Sequence, residues 1–518
     1  MERKFGPASG PESLIAPDPE FWLRTDHLRK DLKSRTVRGG AATTLSQAAK
    51  FGLTFVSTAV LARLLSPQDY GLIAMVTVVT GFVSIFTQLG LSTATIQRPS
   101  ITQGQISALF WINLLAGSIA FSFTAALSPA IAWFYAEPRL TWVTVVLASG
   151  FIVAGAGTQH MALLARQMAF GTLAAIDVLS LLAGVLSGIL AAWLGAGYMS
   201  LVLLHVVTLI CTTIGAWVAC NWRPTKRSSM QEVRSLLAFG GNLTGFNFLS
   251  YLGRNADSVL IGRFIGSYEL GLYSRAYGLL LLPLQQINTP IAAVAVPALS
   301  RIAEAPEHLR AAYKRILSKI CLVTMPFGAF MIGTADWIVA VVLGSNWMGA
   351  SEIFAWLGIL ALIQPVSNTT GWLFIAEGRS RDQLHWGVIG GLLTVSSFVI
   401  GLPWGVTGVA ASYALSGLAI RTPLLFWLVG RKGAVRTSDY YATAAPSLVA
   451  SLACLVAVLV LRRAVPLTPI PGLVVAFCVT CLVSLAVTAA IPAGRQTLQD
   501  LKGLVGMLPL KRVFQFGR

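Results

Sequence analysis

Long apolar stretches separated by short polar segments fill the chain from about residue 38 onward. Fourteen of these stretches are long enough to cross a bilayer as helices, which takes about 20 residues. They lie near residues 40–62, 70–95, 106–134, 140–164, 171–195, 198–221, 237–261, 270–297, 316–343, 351–376, 385–403, 406–430, 441–461 and 470–492. The pattern therefore predicts an all-α polytopic membrane protein with about 14 transmembrane helices.

Composition agrees with this class. Of the 518 residues, 55% are hydrophobic and 11% are charged, and the mean hydropathy is +0.72. Soluble domains carry about 25% charged residues. The net charge of +18 would suggest nucleic-acid binding in a soluble protein. Here it reflects the positive-inside bias of membrane proteins and favours contact with anionic lipids, so we expect no nucleic-acid partner.

The distribution of Lys and Arg predicts the orientation, because positively charged loops stay in the cytoplasm. With the N-terminus inside, 28 Lys and Arg residues fall in inner segments and five in outer loops. Both termini are therefore predicted to be cytoplasmic. The pair Arg462 and Arg463 is the one local exception, which leaves the last hairpin uncertain.

A ten-residue segment recurs 200 positions later without a gap, as RLLSPQDYGL at 63–72 and RFIGSYELGL at 263–272. Such repeats are typical of transporters whose two halves move against each other. Because a shift of six spans preserves direction, we expect both segments to form gate loops on the outer face. The matched gate residues are Arg63, Asp69, Gly71, Arg263, Glu269 and Gly271.

The repeat divides the chain into six predicted parts. These are a cytoplasmic arm at 1–38, a six-helix lobe at 39–222, an inter-lobe loop at 223–236, a second six-helix lobe at 237–430, two additional helices at 431–493 and a cytoplasmic tail at 494–518. In the arm, we expect Phe21 and Trp22 to touch the membrane interface. In the tail, an amphipathic pattern after residue 500 predicts a helix on the membrane surface.

No chemistry of an enzyme, metal or cofactor is evident. The six cysteines lie in or beside apolar stretches, and the five histidines lack ligand spacing. A phosphate-binding loop and an acidic pair on a hydrophilic loop are both missing from the sequence. We therefore predict a protein without catalytic activity, bound metal or cofactor.

Ionisable residues inside the predicted spans are the main candidates for function, since such groups are costly in a membrane and normally face a cavity or a partner. The basic and amide candidates for substrate binding, with one paired acid, are Lys50, Asn242, Asn247, Arg254, Asn255, Asp257, Arg275 and Arg421. A cavity with this basic excess favours a phosphate-bearing ligand. Candidates for ion coupling are Asp177, Asp257 and Asp336. Arg254 and Asp257 can pair, since they are three residues apart on one helix. For single residues, snorkelling and interhelical hydrogen bonding remain equally good explanations.

Several of these segments resemble one known family. The stretches ARLLSPQDYGLIAM at 62–75, RNADSVLIGRFIGSYELGLYSRAYGLLLLPL at 254–284 and VPALSRI at 296–302, and the G-x-x-W turn at 344–347, are similar to bacterial polysaccharide-export flippases. These Wzx-like proteins form the polysaccharide branch of the MOP (multidrug, oligosaccharidyl-lipid, polysaccharide) superfamily. The similarity runs from about residue 38 to 495.

The resemblance implies a bundle of two six-helix lobes, like that of multidrug transporters, plus two C-terminal helices. It also implies movement of oligosaccharides linked to undecaprenyl pyrophosphate across the bacterial inner membrane by alternating access. The other expected partners are membrane lipids, a polysaccharide polymerase and a chain-length regulator. Two alternatives remain open: a drug or cation exporter of the same superfamily, and a membrane glycan polymerase or ligase. The basic excess argues against the first, and the short predicted outer loops argue against the second.

Overall fold

The computed structural model describes residues 19–24, 32–87, 91–98, 100–225, 251 and 253–507, whose regular structure is helical throughout. The prediction of an all-α polytopic membrane protein is confirmed. In chain order the helices are α1 (Leu32–Leu64), α2 (Pro67–Thr87), α3 (Leu91–Gln97), α4 (Gln103–Tyr135), α5 (Leu140–Ala148), α6 (Gly150–Arg166), α7 (Phe170–Trp193), α8 (Met199–Ala219), α9 (253–264), α10 (Ser267–Arg301), α11 (Pro306–Gly333), α12 (Ala335–Val342), α13 (Ala350–Ala376), α14 (Ser380–Gly401), α15 (Gly405–Ser416), α16 (Thr422–Gly430), α17 (Thr437–Ala464), α18 (Pro469–Ala490) and α19 (Pro492–Met507).

Within the described residues, eleven helical segments are long and apolar enough to cross a membrane. One of them, residues 380–430, turns at Leu402–Trp404, and α14 packs against α15 on either side of this turn. Residues 226–250, which hold most of the predicted seventh span, lie outside the described residues. The count of fourteen therefore stays a prediction.

Helices of the first half of the chain pack mainly with each other, and so do those of the second half. In the first half α1 lies along α7, α7 along α8, and α4 along α6. In the second half α10 and α11 both pack on α13, and α11 also packs on α17. Helices α2 and α10 join the halves by lying against each other. A continuous buried cluster follows this junction and includes Leu61, Leu72, Met75, Leu270, Tyr273 and Trp347.

The described part of the N-terminal arm corrects one expectation. Trp22 is only 6% exposed and packs inside the protein against Ile101 and Leu163, so it does not touch the membrane interface. The side-chain amide of Gln167 donates hydrogen bonds to the carbonyl oxygens of Phe21 and Arg24, each at 3.0 Å. A single sequence does not distinguish an interfacial tryptophan from one buried against a neighbouring loop.

The start of the tail is helical, because α19 runs from Pro492 to Met507 and packs against α18. The tail's position at the membrane surface stays a prediction.

Candidate substrate cavity and gate

The two copies of the sequence repeat lie against each other at the first turns of α2 and α10. A Cβ atom added to Gly71 would lie 1.7 Å from the carbonyl oxygen of Ser267, and one added to Gly271 would lie 1.8 Å from that of Pro67. Each contact maps onto the other by a shift of 200 residues, so an approximate twofold axis runs between the helices. We call this contact of Pro67, Gly71, Ser267 and Gly271 the crossing. Glycine is required on both sides because any side chain would separate the two helices.

Further contacts close the same end of the bundle. The indole N–H of Trp347 donates to the carbonyl oxygen of Ala62 at 2.7 Å, and the guanidinium of Arg63 donates to the carbonyl oxygen of Val341 at 2.7 Å. Because both bonds join the last turns of α1 to the α12–α13 region, they link the two halves of the chain. The Tyr70 ring also meets the Trp347 ring edge to face at 5.2 Å.

The remaining repeat residues flank the crossing. The carboxylate of Asp69 accepts hydrogen bonds from the backbone N–H and hydroxyl of Ser66 at 2.9 and 2.7 Å, which caps the start of α2. Glu269 lies in the first turn of α10. The guanidinium of Arg263 lies 5.7 Å from the ring of Phe134.

A cavity of about 1340 Å³ begins on α2 at Thr77, below the crossing, and extends toward α3 and the end of α6. Its walls come from α2 to α8, and Tyr251 and Arg254 close it from the second half of the chain. Serine and threonine hydroxyls form its polar surface, including Thr77, Thr80, Ser84 and Thr87 on α2 and Thr208 and Thr212 on α8. Among the described residues, no Asp or Glu lines this cavity.

The hydroxyls of α2 lie three or four residues apart and therefore on one face of the helix. Each donates its proton to a carbonyl of its own helix, as Thr77 does to Ile73 at 2.7 Å and Thr80 does to Val76 at 3.1 Å. These bonds satisfy the hydroxyl protons and leave the oxygen lone pairs free to accept hydrogen bonds. Such a wall suits a ligand rich in hydroxyl donors.

Arg254 is the one predicted substrate-binding residue that lines this cavity. It lies one helical turn after Tyr251, whose hydroxyl donates to the carbonyl oxygen of Val78 at 2.9 Å. Tyr251 approaches so closely that a Cβ atom on Gly81 would lie 2.2 Å from its hydroxyl oxygen. The contact places the exposed side chain of Arg254 beside the hydroxyl face of α2.

The other basic candidates have partners elsewhere. Lys50 forms an ion pair with Asp177 at 2.8 Å between α1 and α7. Arg421 donates to the Thr394 hydroxyl at 2.9 Å and to the Tyr413 carbonyl at 2.6 Å, within a π-helical turn at Gly417–Arg421. Arg275 lies over the ring of Tyr70, 4.6 Å from its centroid. That all four basic groups face one anionic ligand stays a prediction.

The candidate acids are also held by partners. Asp336 accepts two hydrogen bonds from Arg462 at 2.6 and 2.8 Å, which explains an arginine at a position that violates the charge rule. Asp257 is buried and accepts from the Tyr273 hydroxyl at 2.9 Å. Arg254 forms no ion pair with Asp257 in the part of the chain that the structure describes, so that expected pair is absent there.

The amide candidates give less information. The side chain of Asn255 donates to the carbonyl oxygen of Tyr251 on its own helix at 2.9 Å. Asn242 and Asn247 lie outside the described residues. Sequence reasoning missed the hydroxyl face of α2, although polar positions at helical spacing within an apolar stretch could have revealed it.

Comparison with known proteins identifies the family. A family described as "Polysaccharide biosynthesis protein" matches residues 60–352, more than half of the chain. The teichuronic acid biosynthesis protein TuaB of Bacillus subtilis is 29% identical over 314 residues, which cover 59% of this chain and 64% of TuaB. The lipopolysaccharide biosynthesis protein WzxC of Escherichia coli is 25% identical over 387 residues, covering 74% of this chain and 79% of WzxC. In the TuaB match, the chain spans less than two thirds of that relative's length.

The same architecture occurs among solved structures. The lipid II flippase MurJ in an inward closed conformation superimposes with a TM-score of 0.67 at 12% identity, covering 88% of this chain and 98% of MurJ. At this identity the likeness shows a shared fold. Together with the family match over residues 60–352, it establishes that the chain is a multi-pass membrane protein and belongs to the polysaccharide biosynthesis protein family, as its sequence predicted.

Proposed function

We propose that this protein is a flippase that moves oligosaccharides linked to undecaprenyl pyrophosphate from the cytoplasmic to the periplasmic leaflet of the bacterial inner membrane. Both termini are cytoplasmic in this proposal. Residues 39–222 and 237–430 form two lobes that move against each other, and residues 431–493 add two helices to the second lobe. Transport proceeds by alternating access without a covalent step.

The observation that carries the proposal is the hydroxyl-lined cavity that ends beneath the crossing. Its volume of about 1340 Å³ suits a ligand larger than most single metabolites, whose sites measure about 300–1,000 Å³. The lone pairs on its wall can accept hydrogen bonds from sugar hydroxyls. Arg254 supplies a cation for phosphate, and no carboxylate among the described lining residues would repel an anion.

The position of the cavity fits one state of an alternating-access cycle. In the orientation predicted from charge, the crossing lies on the periplasmic side, and the residues that follow α3 and α6 lie on the cytoplasmic side. A closed crossing above a cavity that extends toward α3 therefore corresponds to an inward-facing state. Separation of the crossing would open the same cavity to the periplasm.

The alternatives find less support in this arrangement. A drug or cation exporter needs acidic groups in its cavity, whereas the described lining offers Arg254 and hydroxyls. A glycan polymerase or ligase needs room outside the membrane, whereas the connection between α1 and α2 and that between α9 and α10 are only a few residues long. A separate polymerase and a chain-length regulator would act on the sugar units that this protein delivers.

The proposal is tested with full-length protein in vesicles that contain undecaprenyl pyrophosphate-linked oligosaccharide. Transfer is measured as the fraction of sugar that becomes accessible to a membrane-impermeant glycosidase. We expect Arg254→Ala to reduce transfer tenfold or more and Arg254→Lys to restore part of it, because a lysine keeps the charge but loses the planar fork. Arg301→Ala, an exposed arginine at the end of α10, is the matched control. Absence of transfer by the wild-type protein, or full transfer by Arg254→Ala, would overturn the proposal.

A further inference from the structure

Arg275 lies between the crossing and the hydroxyl-lined cavity. Through the repeat it matches Met75, which precedes Thr77, the first cavity residue of α2, by two positions. Long side chains on a helix point toward its N-terminus. The guanidinium of Arg275 accordingly points toward the crossing and lies 4.6 Å from the centroid of the Tyr70 ring. Its backbone is at the top of the cavity, and its charge is at the base of the closed gate.

The surroundings of this guanidinium are unusual for a half-buried cation. Arg275 forms no ion pair with any described carboxylate, and its buried Nε atom has no hydrogen-bond acceptor among the described residues. Its described contact is the Tyr70 ring, which comes from the other half of the chain. A guanidinium held by a ring alone forms much stronger hydrogen bonds when a phosphate arrives, because phosphate oxygens accept its N–H groups directly.

Tyr70 connects this contact to the rest of the closed gate. Its ring packs against Trp347, whose indole is bonded to the Ala62 carbonyl at the end of α1. Tyr70 also lies one residue before Gly71, within the turn of α2 that forms the crossing. Loss of the Arg275 contact therefore removes an attraction that joins the two halves directly beneath the crossing.

We propose that Arg275 is a phosphate-responsive latch: a diphosphate group in the cavity draws its guanidinium away from the Tyr70 ring and so releases the crossing. This inference rests on the proposed flippase function and adds a trigger to it. Phosphate binding and gate opening then become one linked equilibrium, since a ligand shifts a two-state protein only as far as it binds one state better. A loaded transporter opens outward, whereas an empty one stays closed.

The state of the gate can be read by disulfide cross-linking. Cysteines replace Ser66 and Ser267, which flank the crossing, in full-length protein whose six native cysteines are substituted. The initial rate of cross-linking is measured in vesicles without ligand, with undecaprenyl pyrophosphate, with undecaprenol and with free inorganic pyrophosphate. We expect undecaprenyl pyrophosphate to slow cross-linking about fivefold or more and undecaprenol to have no effect. Slowing by free pyrophosphate as well would assign the response to the diphosphate group itself.

Variants distinguish the latch from a general effect of lipid. Arg275→Gln should cross-link more slowly than wild type without ligand and should lose the response to undecaprenyl pyrophosphate. Arg275→Lys, which keeps the charge, should retain part of the response. Tyr70→Phe keeps the ring and should behave as wild type, whereas Tyr70→Leu should lower the basal rate. Arg263→Gln is the matched control, because Arg263 also lies over aromatic rings but outside the cavity.

The outcomes separate this inference from the proposed function. A response of equal size in wild type and Arg275→Gln, with transfer intact in both, would overturn the latch and leave the flippase proposal standing. Absence of both transfer and response in the wild-type protein would overturn the flippase proposal and the latch with it. Undiminished basal cross-linking in Arg275→Gln and Tyr70→Leu would also overturn the latch.

Discussion

Trp347 donates its indole N–H to the carbonyl oxygen of Ala62 at 2.7 Å, across 285 positions of sequence. Ala62 lies in the last turn of α1, where helix carbonyls lack partners within the helix. The tryptophan of the G-x-x-W turn thus caps a helix of the other half of the chain. In an alternating-access cycle this bond exists only while the crossing is closed.

We therefore predict that Trp347→Phe destabilises the closed gate. The substitution keeps an aromatic ring beside Tyr70 but leaves the Ala62 oxygen without its donor, which costs about 1–3 kcal/mol in a buried site. Cross-linking between cysteines at positions 66 and 267 should slow by about tenfold, since 1.4 kcal/mol corresponds to tenfold. An unchanged cross-linking rate in Trp347→Phe would show that this bond does not stabilise the gate.

Substitution of the crossing glycines should have a similar effect for a steric reason. In Gly71→Ala, the new methyl group meets the Ser267 carbonyl at 1.7 Å, so α2 and α10 must separate. Overpacking of this kind costs about 1–3 kcal/mol. We expect slower cross-linking and greater labelling of a cysteine at position 267 by an impermeant maleimide.

Gly171→Ala is the control for this effect, because Gly171 also lies in a helix but has no atom within 4 Å of an added Cβ. It should leave labelling and cross-linking unchanged. Equal labelling in Gly71→Ala and wild type would contradict the close approach of the two helices.

The Asp336–Arg462 pair should be structural. Either Asp336→Ala or Arg462→Ala leaves one charge without its partner, and we expect lower protein abundance and a loss of stability of between about 1 and about 3 kcal/mol for a half-buried pair. The double variant removes both charges and should recover much of the loss. If Asp336→Ala instead abolished transfer at normal abundance, a role in ion coupling would be supported and the structural assignment would be wrong.

The hydroxyl face of α2 should affect substrate affinity rather than folding. Thr80→Val and Ser84→Ala remove lone pairs that face the cavity, and we expect each to raise the KM for lipid-linked oligosaccharide severalfold at normal abundance. Thr44→Val is a matched control, since the Thr44 hydroxyl also bonds a carbonyl of its own helix, at 2.9 Å, but lies outside the cavity. An unchanged KM in a Thr80→Val, Ser84→Ala double variant would exclude this face from substrate binding.

The sequence predicted the helical membrane fold and the repeat because both follow from local patterns of residues. Apolar length determines which segments span the membrane, and the match of Gly71 with Gly271 needs no knowledge of packing. The contact of Gly71 with the Ser267 backbone could not be predicted, because it depends on how two distant helices cross.

Prediction of the site from intramembrane charges was less complete. Lys50 and Asp177 lie 127 positions apart, and only the packing of α1 on α7 brings them together. Arg254 was identified because a charge within an apolar stretch is conspicuous. Thr77, Thr80, Ser84 and Thr87 were missed because hydroxyls bonded to their own helix lower hydropathy so little that they do not interrupt an apolar pattern.

The most direct test of the account is transfer of undecaprenyl pyrophosphate-linked oligosaccharide in vesicles by protein cross-linked between cysteines at Ser66 and Ser267. The account predicts that cross-linking stops transfer, because it holds the crossing closed, and that a reductant restores it. The same oxidant should have no effect on protein with either single cysteine. Transfer at the normal rate by fully cross-linked protein would contradict alternating access through this gate.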